Sequence, residues 1–456
     1  MYASQPSMSG KVVQSGSSET RHDARALLKT SKIVCMAPWV HAHLSSLGDF
    51  TPCCEIFEPL GTSDGATLVS HWNSGAMASF RTAMLGDTPL SVCRKCYDKE
   101  KAGISSRRQQ FNELFRNESD RLSATGSDGT LPNSIQPIDL DLRFSNLCNF
   151  RCRSCWHGAS SRWFSDAAAL GLTKGETAVI TAGADREKTF TQVMEQLSVV
   201  RSIYFAGGEP LLMEEHYALL EELVRVGRTD VRLSYNTNLS ELRLGNRQVT
   251  DLWRVFEHVR VGASADGMGA VGELVRKGIK WTRFEENLHA VRESCPHVQL
   301  SMATTVSVLN LFHIPVFYSH AHKVLGFDHD SIFVNPLQEP HHYNIQILPR
   351  SMKRSAVAAL TELARSLPEN RPTLESAESG RQGGKAAVLD LVEYMNARDD
   401  PQYIPSFVKI TDRLDVLRGE DTFATIPELA LMRTVAKRMR TPWARATAAI
   451  GRRMGR

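Results

Sequence analysis

The sequence has no apolar run long enough to cross a membrane, because no segment approaches the eighteen or so consecutive apolar residues that a spanning helix needs. Its first residues, Met1 to Pro6, lack the basic and then apolar pattern of a secretory signal. The net charge of +4 over 456 residues is too small to favour a nucleic acid as partner. We therefore expect a cytoplasmic protein without a membrane partner.

Cysteine is scarce and unevenly placed. Eight of the nine cysteines fall between Cys35 and Cys155, and Cys295 stands apart from them. In a reducing compartment, grouped thiols bind metal or act chemically more often than they form disulfides. The cysteine pattern therefore predicts metal chemistry in the first third of the chain.

Composition and pattern divide the chain into five segments. We predict a disordered Ser- and Gly-rich lead-in at 1–30, a small Cys-rich domain at 31–116, a polar linker at 117–136, a core at 137–345 and a helical region at 346–456. A domain as small as the second needs a metal to complete its core. From Arg433 onward the chain has Lys and Arg but no Asp or Glu. This basic tail is either a solvated helix or a docking site for an acidic peptide or nucleic acid.

Strand patterns and helix patterns alternate through the core segment. Six strands are predicted, at 138–145, 202–206, 231–236, 258–265, 297–306 and 331–336. Such alternation indicates right-handed crossovers and a parallel sheet. The predicted fold class is therefore α/β, a partial (β/α)6 barrel with a small Cys-rich domain before it and a helical extension after it. In such folds the chemistry lies at the C-terminal ends of the strands.

Three cysteines directly follow the first of these strands. Cys148, Cys152 and Cys155 form a C-x3-C-x2-C run, which can occupy three corners of one metal cluster and leave the fourth open. Thiolate is the ligand that iron-sulfur clusters require, and an open position distinguishes a catalytic site from a structural one. The spacing therefore predicts an open metal centre.

A second set of thiols lies in the Cys-rich domain. Cys35, Cys93, Cys96 and one of the neighbours Cys53 and Cys54 would close a site completely. Because neighbouring side chains alternate in direction along an extended segment, only one of that pair should face the metal. Tetrahedral zinc and a fully ligated iron-sulfur cluster both fit four thiols.

Polar residues also follow the next three strands. Gly207 and Gly208 allow a ligand to approach the backbone, and the adjacent Glu209 can pair with an ammonium group. Asn236 follows the third strand. Ser264 and Asp266 follow the fourth, and a hydroxyl and a carboxylate two residues apart share a face that suits a ribose diol.

In this order on consecutive strands, these motifs closely resemble the radical S-adenosylmethionine (radical SAM) superfamily over residues 137–340. The resemblance implies that the three clustered cysteines hold a 4Fe-4S cluster whose free iron is chelated by S-adenosylmethionine. It also implies a ligand set around that cofactor: Gly207, Gly208 and Glu209 along the methionine, Asn236 near the sulfonium or methionine end, and Ser264 and Asp266 at the ribose. Ser154 stands where the family usually has an aromatic residue, with Trp156 two positions later.

The Cys-rich domain resembles the twitch module of the same superfamily, the shorter relative of the SPASM domain. This resemblance implies a second, auxiliary 4Fe-4S cluster held by Cys35, Cys53, Cys93 and Cys96, and it favours iron-sulfur over zinc and Cys53 over Cys54. The module usually follows the barrel, whereas here it precedes it.

The resemblance implies an enzyme that reductively cleaves S-adenosylmethionine and uses the resulting 5'-deoxyadenosyl radical to abstract hydrogen from a substrate. A reductase or a flavodoxin-type protein would donate the electron. We expect a peptide or protein side chain as substrate, because twitch and SPASM modules often accompany peptide-modifying members. The alternatives are an enzyme acting on a small metabolite, such as a sugar, nucleotide or amino acid, and a zinc-stabilised interaction protein with a degenerate barrel.

Overall fold

A computed structural model describes residues 24–56, 68–101, 103, 105–173, 177–182, 186–371 and 382–439. Most of the predicted lead-in, up to residue 23, and the basic tail from residue 440 onward lie outside these ranges. The strands are β1 His41–Leu44, β2 Phe50–Thr51, β3 Asp139–Leu142, β4 Ser202–Phe205, β5 Arg232–Thr237, β6 Arg243–Leu244, β7 Arg247–Gln248, β8 Val259–Ser264, β9 Gln299–Val306 and β10 Ile332–Pro336.

The helices surround these strands and continue beyond them. They are α1 Ala24–Thr30, α2 Ala37–Val40, α3 Leu68–Trp72, α4 Gly75–Leu85, α5 Arg94–Lys101, α6 Arg107–Leu114, α7 Asp120–Ser123, α8 Phe164–Leu170, α9 Arg186–Glu195, α10 Glu214–Arg225, α11 Val249–Trp253, α12 Gly269–Val275, α13 Trp281–Ser294, α14 Ile314–Lys323, α15 Arg350–Ser366, α16 Gly384–Asn396, α17 Ile404–Arg418, α18 Thr422–Thr425 and α19 Ala430–Met439. None of the helices in the described ranges combines the length and apolar character that a membrane crossing requires.

One open sheet organises the chain, with the strand order β10-β9-β8-β5-β4-β3-β1-β2. All neighbouring pairs are parallel except β1 and β2, which are antiparallel. The six predicted strands correspond to β3, β4, β5, β8, β9 and β10. The predicted α/β class and the open six-strand barrel are therefore confirmed.

Alternation along the strands separates a packed face from a polar one. Leu140, Ile203 and Leu233 are fully buried in the core between the sheet and its outer helices. Their neighbours in the strands, such as Tyr204 and Ser234, line a cavity on the inner face of the sheet. Because successive side chains point to opposite faces of a strand, this pattern gives the barrel an apolar outer layer and a polar interior.

The Cys-rich domain joins the same sheet, which its sequence pattern did not predict. Strand β1 pairs in parallel with β3, in a register that places His41 beside Asp139 and Leu44 beside Leu142. The domain also has a core of its own, built around Trp39, Trp72 and other buried apolar residues. It is therefore both a separately packed unit and an extension of the barrel sheet.

The predicted linker contains ordered structure. A 3-10 turn at Arg116–Glu118 leads into α7, and Ser119 is buried between them. Leu122 and Leu131 pack into the core of the Cys-rich domain. This polar stretch is thus attached to that domain along much of its length.

The C-terminal helices predicted from pattern are also present. Helix α16 packs against α15 and β10, and α17 packs against α8 and α19. Because α8 follows the clustered cysteines in the chain, α17 lies beside the segment that carries them. The helical extension therefore takes part in the site described next.

Candidate functional site

The loop that carries Cys148, Cys152 and Cys155 follows β3 and is fastened to the segment after α12. The amide of Arg151 donates to the carbonyl of Lys277 at 2.8 Å, and the amide of Arg153 donates to the carbonyl of Val275 at 2.8 Å. The indole Nε1 of Trp163 donates to the carbonyl of Cys152, also at 2.8 Å. These backbone contacts fix the loop without using any of the three thiols.

The three thiols form one electrostatically coupled group. Burial raises the pKa of each, that of Cys155 to about 12, and the proximity of Cys152 raises the pKa values of Cys148 and Cys155 further. Neutral thiols in such a setting lose their protons when a positively charged metal centre replaces them. The donor set of three adjacent, half-buried cysteines therefore fits an iron-sulfur cluster with one open iron.

Arg276 lies beside this group and was not predicted from the sequence. Its charge lowers the pKa values of Cys152 and Cys155 and partly offsets the effect of burial. The Arg276 Nε lies 2.8 Å from Oδ2 of Asp266 in a buried ion pair. No local motif marks an arginine at the end of a short helix, so only the fold identifies it as a neighbour of the cysteines.

Two glycines bring the loop after β4 against the cysteine loop. Gly207 has a φ of +108°, and a Cβ on Gly208 would lie 2.1 Å from the carbonyl oxygen of Leu147. The amide of Glu209 donates to that same carbonyl at 2.7 Å. Backbone contact this close requires glycine, so the Gly-Gly-Glu segment is fitted to the cysteine loop.

The carboxylate of Glu209 is buried and held by three donors. These are the hydroxyl of Thr237 at 2.6 Å, the amide of Asn238 at 2.7 Å and the amide of Leu211 at 3.1 Å. Burial raises the pKa of Glu209 to about 7, although these hydrogen bonds act in the opposite direction. The carboxyl group is thus poised between its neutral and charged forms near neutral pH.

The remaining residues predicted as cofactor ligands lie in two different settings. Asn236 and Ser264 line the cavity inside the barrel, and Gly262 leaves room for the Asn236 side chain, since a Cβ there would lie 2.5 Å from its Oδ1. Asp266 is buried, pairs with Arg276 and accepts a hydrogen bond from the amide of Thr305 at 2.8 Å. Asp266 therefore does not line the cavity and lies behind the residues that do.

The cavity inside the barrel has a volume of about 1130 Å³. Its walls carry hydroxyl and amide groups from successive strands, and α6 contributes Gln110 and Leu114 on one side. The strand residues that line it include Ser202, Tyr204, Ser234, Asn236, Ser301 and Thr305. Apolar side chains, including Ala303, Phe333 and Val334, line it as well, so the walls offer both hydrogen-bonding and apolar contacts.

A second, smaller cavity lies within the Cys-rich domain. Four thiols line it, together with apolar side chains that include Phe80 and Met84. The four are Cys35, Cys53, Cys93 and Cys96. Burial raises the pKa of each, that of Cys93 to about 12. Four thiols in an apolar pocket fit a fully ligated iron-sulfur cluster.

The neighbours Cys53 and Cys54 face different cavities. Cys53 lines the four-thiol cavity, whereas Cys54 lines the barrel cavity. His41 and His43 do not line the four-thiol cavity, and their Nδ1 atoms hydrogen-bond to Asp139 and Thr51. The structure thus brings together the four cysteines that the sequence analysis favoured.

A buried charge network joins the cysteine loop to α17. Arg153, whose side chain is 0% exposed, pairs with Asp415 and also with Glu420 at 2.6 Å. Glu420 pairs in turn with Lys277 at 2.8 Å. On the other side of the loop, Asp166 of α8 bridges two arginines: Arg151 at 3.1 Å and Arg418 at 2.8 Å. Helix α17 and the residues just after it therefore hold the cysteine loop in place through ion pairs between segments that lie far apart in the sequence.

Comparison with protein families agrees with both thiol sets. Residues 142–310 match the model of the radical SAM superfamily, and residues 35–97 match that of the SPASM iron-sulfur cluster-binding domain. The first range contains Cys148, Cys152 and Cys155, and the second begins at Cys35. The predicted resemblance to radical SAM proteins with a SPASM-like module is confirmed. The matches imply a 4Fe-4S cluster with S-adenosylmethionine in the barrel and iron-sulfur in the Cys-rich domain.

No curated protein matches the sequence. Among solved structures, anSMEcpe with bound AdoMet and Cp18Cys peptide matches at 16% identity and a TM-score of 0.35, over 50% of this chain and 59% of that one. Streptococcus suis SuiB bound to S-adenosylmethionine matches at 12% identity and a TM-score of 0.34, over 62% of this chain and 63% of that one. The same values hold for SuiB bound to its precursor peptide SuiA. The chain thus covers less than two thirds of each of these structures.

Proposed function

Because the chain carries a radical SAM domain and an iron-sulfur cluster-binding domain of the SPASM type, we propose that it is an enzyme that cleaves S-adenosylmethionine reductively and removes a hydrogen atom from a peptide or protein side chain. One observation carries the proposal. The loop with Cys148, Cys152 and Cys155 and the loop with Glu209 are packed together, and Arg143, whose Cβ would lie 3.1 Å from a Cβ on Gly207, lines the large barrel cavity. A cluster, its sulfonium cofactor and a substrate would therefore meet in one place.

The three cysteines would hold the cluster, and the neighbouring loops would hold S-adenosylmethionine. When bound, these two groups supply a 5'-deoxyadenosyl radical, which abstracts the hydrogen atom. The carbonyls around Gly207 and Gly208 would accept from the amino group of methionine, and the ionised Glu209 would pair with its charge. Thr237 and Asn238 already fix that carboxylate in position.

The remaining ligands would lie deeper in the barrel. Asn236 would face the sulfonium or methionine end, and Ser264 would reach the ribose from the cavity wall. We also propose that Asp266 contacts the ribose; its carboxylate would reach the ribose from behind the residues that line the cavity and would be shared with Arg276. The polar barrel wall would then orient the substrate toward the C5' carbon and exclude water from it.

The size of the barrel cavity supports a peptide substrate. At about 1130 Å³ it exceeds the roughly 300–1,000 Å³ typical of small-ligand sites, so it has room for a substrate beside the S-adenosylmethionine that Asn236 and Ser264 would contact. A side chain together with a stretch of backbone would use both the volume and the hydrogen-bonding walls.

The Cys-rich domain would serve electron transfer. Four thiolates would leave no iron open to a substrate, so an auxiliary cluster there would exchange electrons with the substrate radical or with the barrel cluster. A reductase or flavodoxin-type protein would supply the electron for cleavage.

Anaerobic reconstitution followed by iron, sulfide and 5'-deoxyadenosine analysis tests this function. Changing Cys148, Cys152 and Cys155 together to Ala should abolish 5'-deoxyadenosine formation and leave about half of the iron, since the other cluster remains. Bound zinc without acid-labile sulfide, or undiminished cleavage in the triple variant, would refute the proposal.

The neighbouring pair Cys53 and Cys54 supplies a matched control for the auxiliary site. Cys53→Ala should lower the iron content because it removes one of four thiolate ligands, whereas Cys54→Ala should keep all of it. Changing Cys93 and Cys96 together removes two ligands and should lose about half of the iron. Equal iron loss in the Cys53 and Cys54 variants would contradict the assigned ligand set.

A further inference from the structure

The start of α6 separates the two cavities. Arg107, the first residue of this helix, lines both the four-thiol cavity and the barrel cavity, and so does Glu55. A group bound beside Arg107 in the barrel cavity would therefore lie at the junction, the wall that separates this cavity from the four-thiol cavity.

The carboxylates around the junction already have partners. Asp141 accepts two hydrogen bonds from Arg143, each 3.1 Å long. Asp139 lies 2.5 Å from Nδ1 of His41 and also accepts from the hydroxyl of Ser202. These two acidic groups are thus engaged on β3 and its neighbours.

Glu55 is engaged as well. Its carboxylate lies 3.7 Å from the ammonium group of Lys99. Neither Glu55 nor the two aspartates form an ion pair with Arg107 within the described ranges. Burial acts to lower the pKa of the Arg107 guanidinium, while Cys54, Asp139 and Asp141 act to raise it, so these two aspartates compensate part of its charge from a distance.

Arg107 itself has unused donors. Its Nε is buried and has no hydrogen-bond partner among the described residues. Its Nη1 makes one long contact, 3.4 Å, to Oε1 of Gln110, and the guanidinium lies over the ring of Phe111 at 4.7 Å. A guanidinium carries five donors in a planar fork, and leaving a buried donor unpaired is unfavourable.

We propose that Arg107 binds a carboxylate of the substrate, an inference that rests on the enzyme proposed above. The guanidinium fork matches a carboxylate with two parallel hydrogen bonds, and the Phe111 ring fixes its plane. The substrate is then an acidic peptide, with an aspartate or glutamate side chain or a terminal carboxylate at the junction. The rest of the peptide extends along the barrel wall past Tyr204 toward Asn236.

Binding of two capped pentapeptides to the reconstituted full-length protein tests this site without turnover. One is polyalanine with a central glutamate, and the other has glutamine in its place. The wild type should bind the acid about tenfold more tightly than the amide, in keeping with a charge-assisted pair of hydrogen bonds. Arg107→Gln should remove that preference, and Arg107→Lys should retain part of it because the charge remains without the fork.

Arg201→Gln is the matched control. Arg201 also lines the barrel cavity, but it is exposed and paired with Glu118 at 2.5 Å, so its loss should leave the preference unchanged. Iron content of each variant shows whether it is assembled. Equal affinity for acid and amide in the wild type, no saturable binding of the acid, or an unchanged preference in Arg107→Gln would overturn the site.

Two further outcomes separate this inference from its premises. Tighter binding of inorganic phosphate than of the acid peptide would overturn the carboxylate assignment and make the site a phosphate site. A wild type that prefers the acid but forms no 5'-deoxyadenosine would refute the proposed function and leave the carboxylate site standing.

Discussion

Burial and ligand binding act in opposite directions on the protonation of Glu209. Burial raises its pKa from an ordinary value near 4.5 to about 7, against three hydrogen bonds that favour the charged form. An ammonium ligand would favour the charged form further, so binding should release a proton whenever the free carboxyl is neutral.

The affinity for S-adenosylmethionine should therefore depend on pH. It should rise as the pH increases toward about 7 and level off above that value, because the neutral carboxyl must first lose its proton. Glu209→Gln should bind more weakly by about 1.5–3 kcal/mol above neutral pH and lose this dependence. Equilibrium binding of S-adenosylmethionine, measured between pH 6 and pH 8.5, a range of about 2.5 units that spans the pKa of Glu209, checks both expectations.

A glutamate on the protein surface gives the control for this pH dependence. Glu222 pairs with Arg225 on the surface of α10, and Glu222→Gln should keep the wild-type pH profile. An affinity for S-adenosylmethionine that does not change with pH in the wild type would place the ammonium contact elsewhere.

At the level of elements, helix α17 acts as a brace for the cysteine loop. Arg153 makes both of its ion pairs through Nη2, while its buried Nε and Nη1 have no partner among the described residues. The guanidinium therefore depends on Asp415 and Glu420 for all of its charge compensation in this part of the chain. Removing both would leave a buried, unpaired cation.

The double change Asp415→Asn with Glu420→Gln should lower the free energy of unfolding by about 3–5 kcal/mol, the usual cost of breaking a buried ion pair. Urea unfolding of the metal-free protein measures this directly. Because Arg153 lies between Cys152 and Cys155, the variant should also retain less iron in the barrel after reconstitution.

The same helix supplies a matched control. Asp412 pairs with Arg433, and both side chains are nearly half exposed. Asp412→Asn should change the free energy of unfolding by less than about 1 kcal/mol, as is usual for surface pairs. If the buried and the exposed variants were equally mild, α17 would not brace the loop.

At the level of the whole molecule, the Cys-rich domain and the barrel share one sheet. Strand β1 covers the edge of β3, and the apolar Ala42 and Leu44 of β1 lie in the same core as Leu140 and Leu142. An uncovered parallel edge with apolar neighbours pairs readily with other chains. The Cys-rich domain therefore covers the β3 edge of the barrel sheet against pairing with other chains, in addition to carrying its own thiols.

Deletion of residues 1–136 should accordingly make the barrel aggregate, because the edge of β3 would be exposed. Co-expression of residues 1–136 as a separate fragment should restore a soluble complex through the β1–β3 pairing. Size-exclusion chromatography reads both outcomes. A soluble, monomeric barrel that binds S-adenosylmethionine without the fragment would show that the shared sheet is dispensable.

The sequence by itself determined the strands of the barrel, their order and the places where chemistry gathers. Alternating apolar residues specify strands, and helical spacing specifies the crossovers. The barrel cysteines lie in one short motif, and the second set is concentrated between Cys35 and Cys96. Glu209, Asn236 and Ser264 could be found in the same way, because each lies at or just after the C-terminal end of a predicted strand. These features depend on neighbours in the chain, which a sequence displays.

Only the tertiary structure decided the contacts between distant segments. Arg153 meets Asp415 across 262 positions, Arg276 reaches the clustered thiols from another strand's crossover, and Arg107 stands between two cavities. The pKa of Glu209 likewise depends on a burial that no local pattern encodes. The packing of the folded chain determines which of these side chains are in contact. Their spacing along the sequence has no periodicity that would reveal the contact.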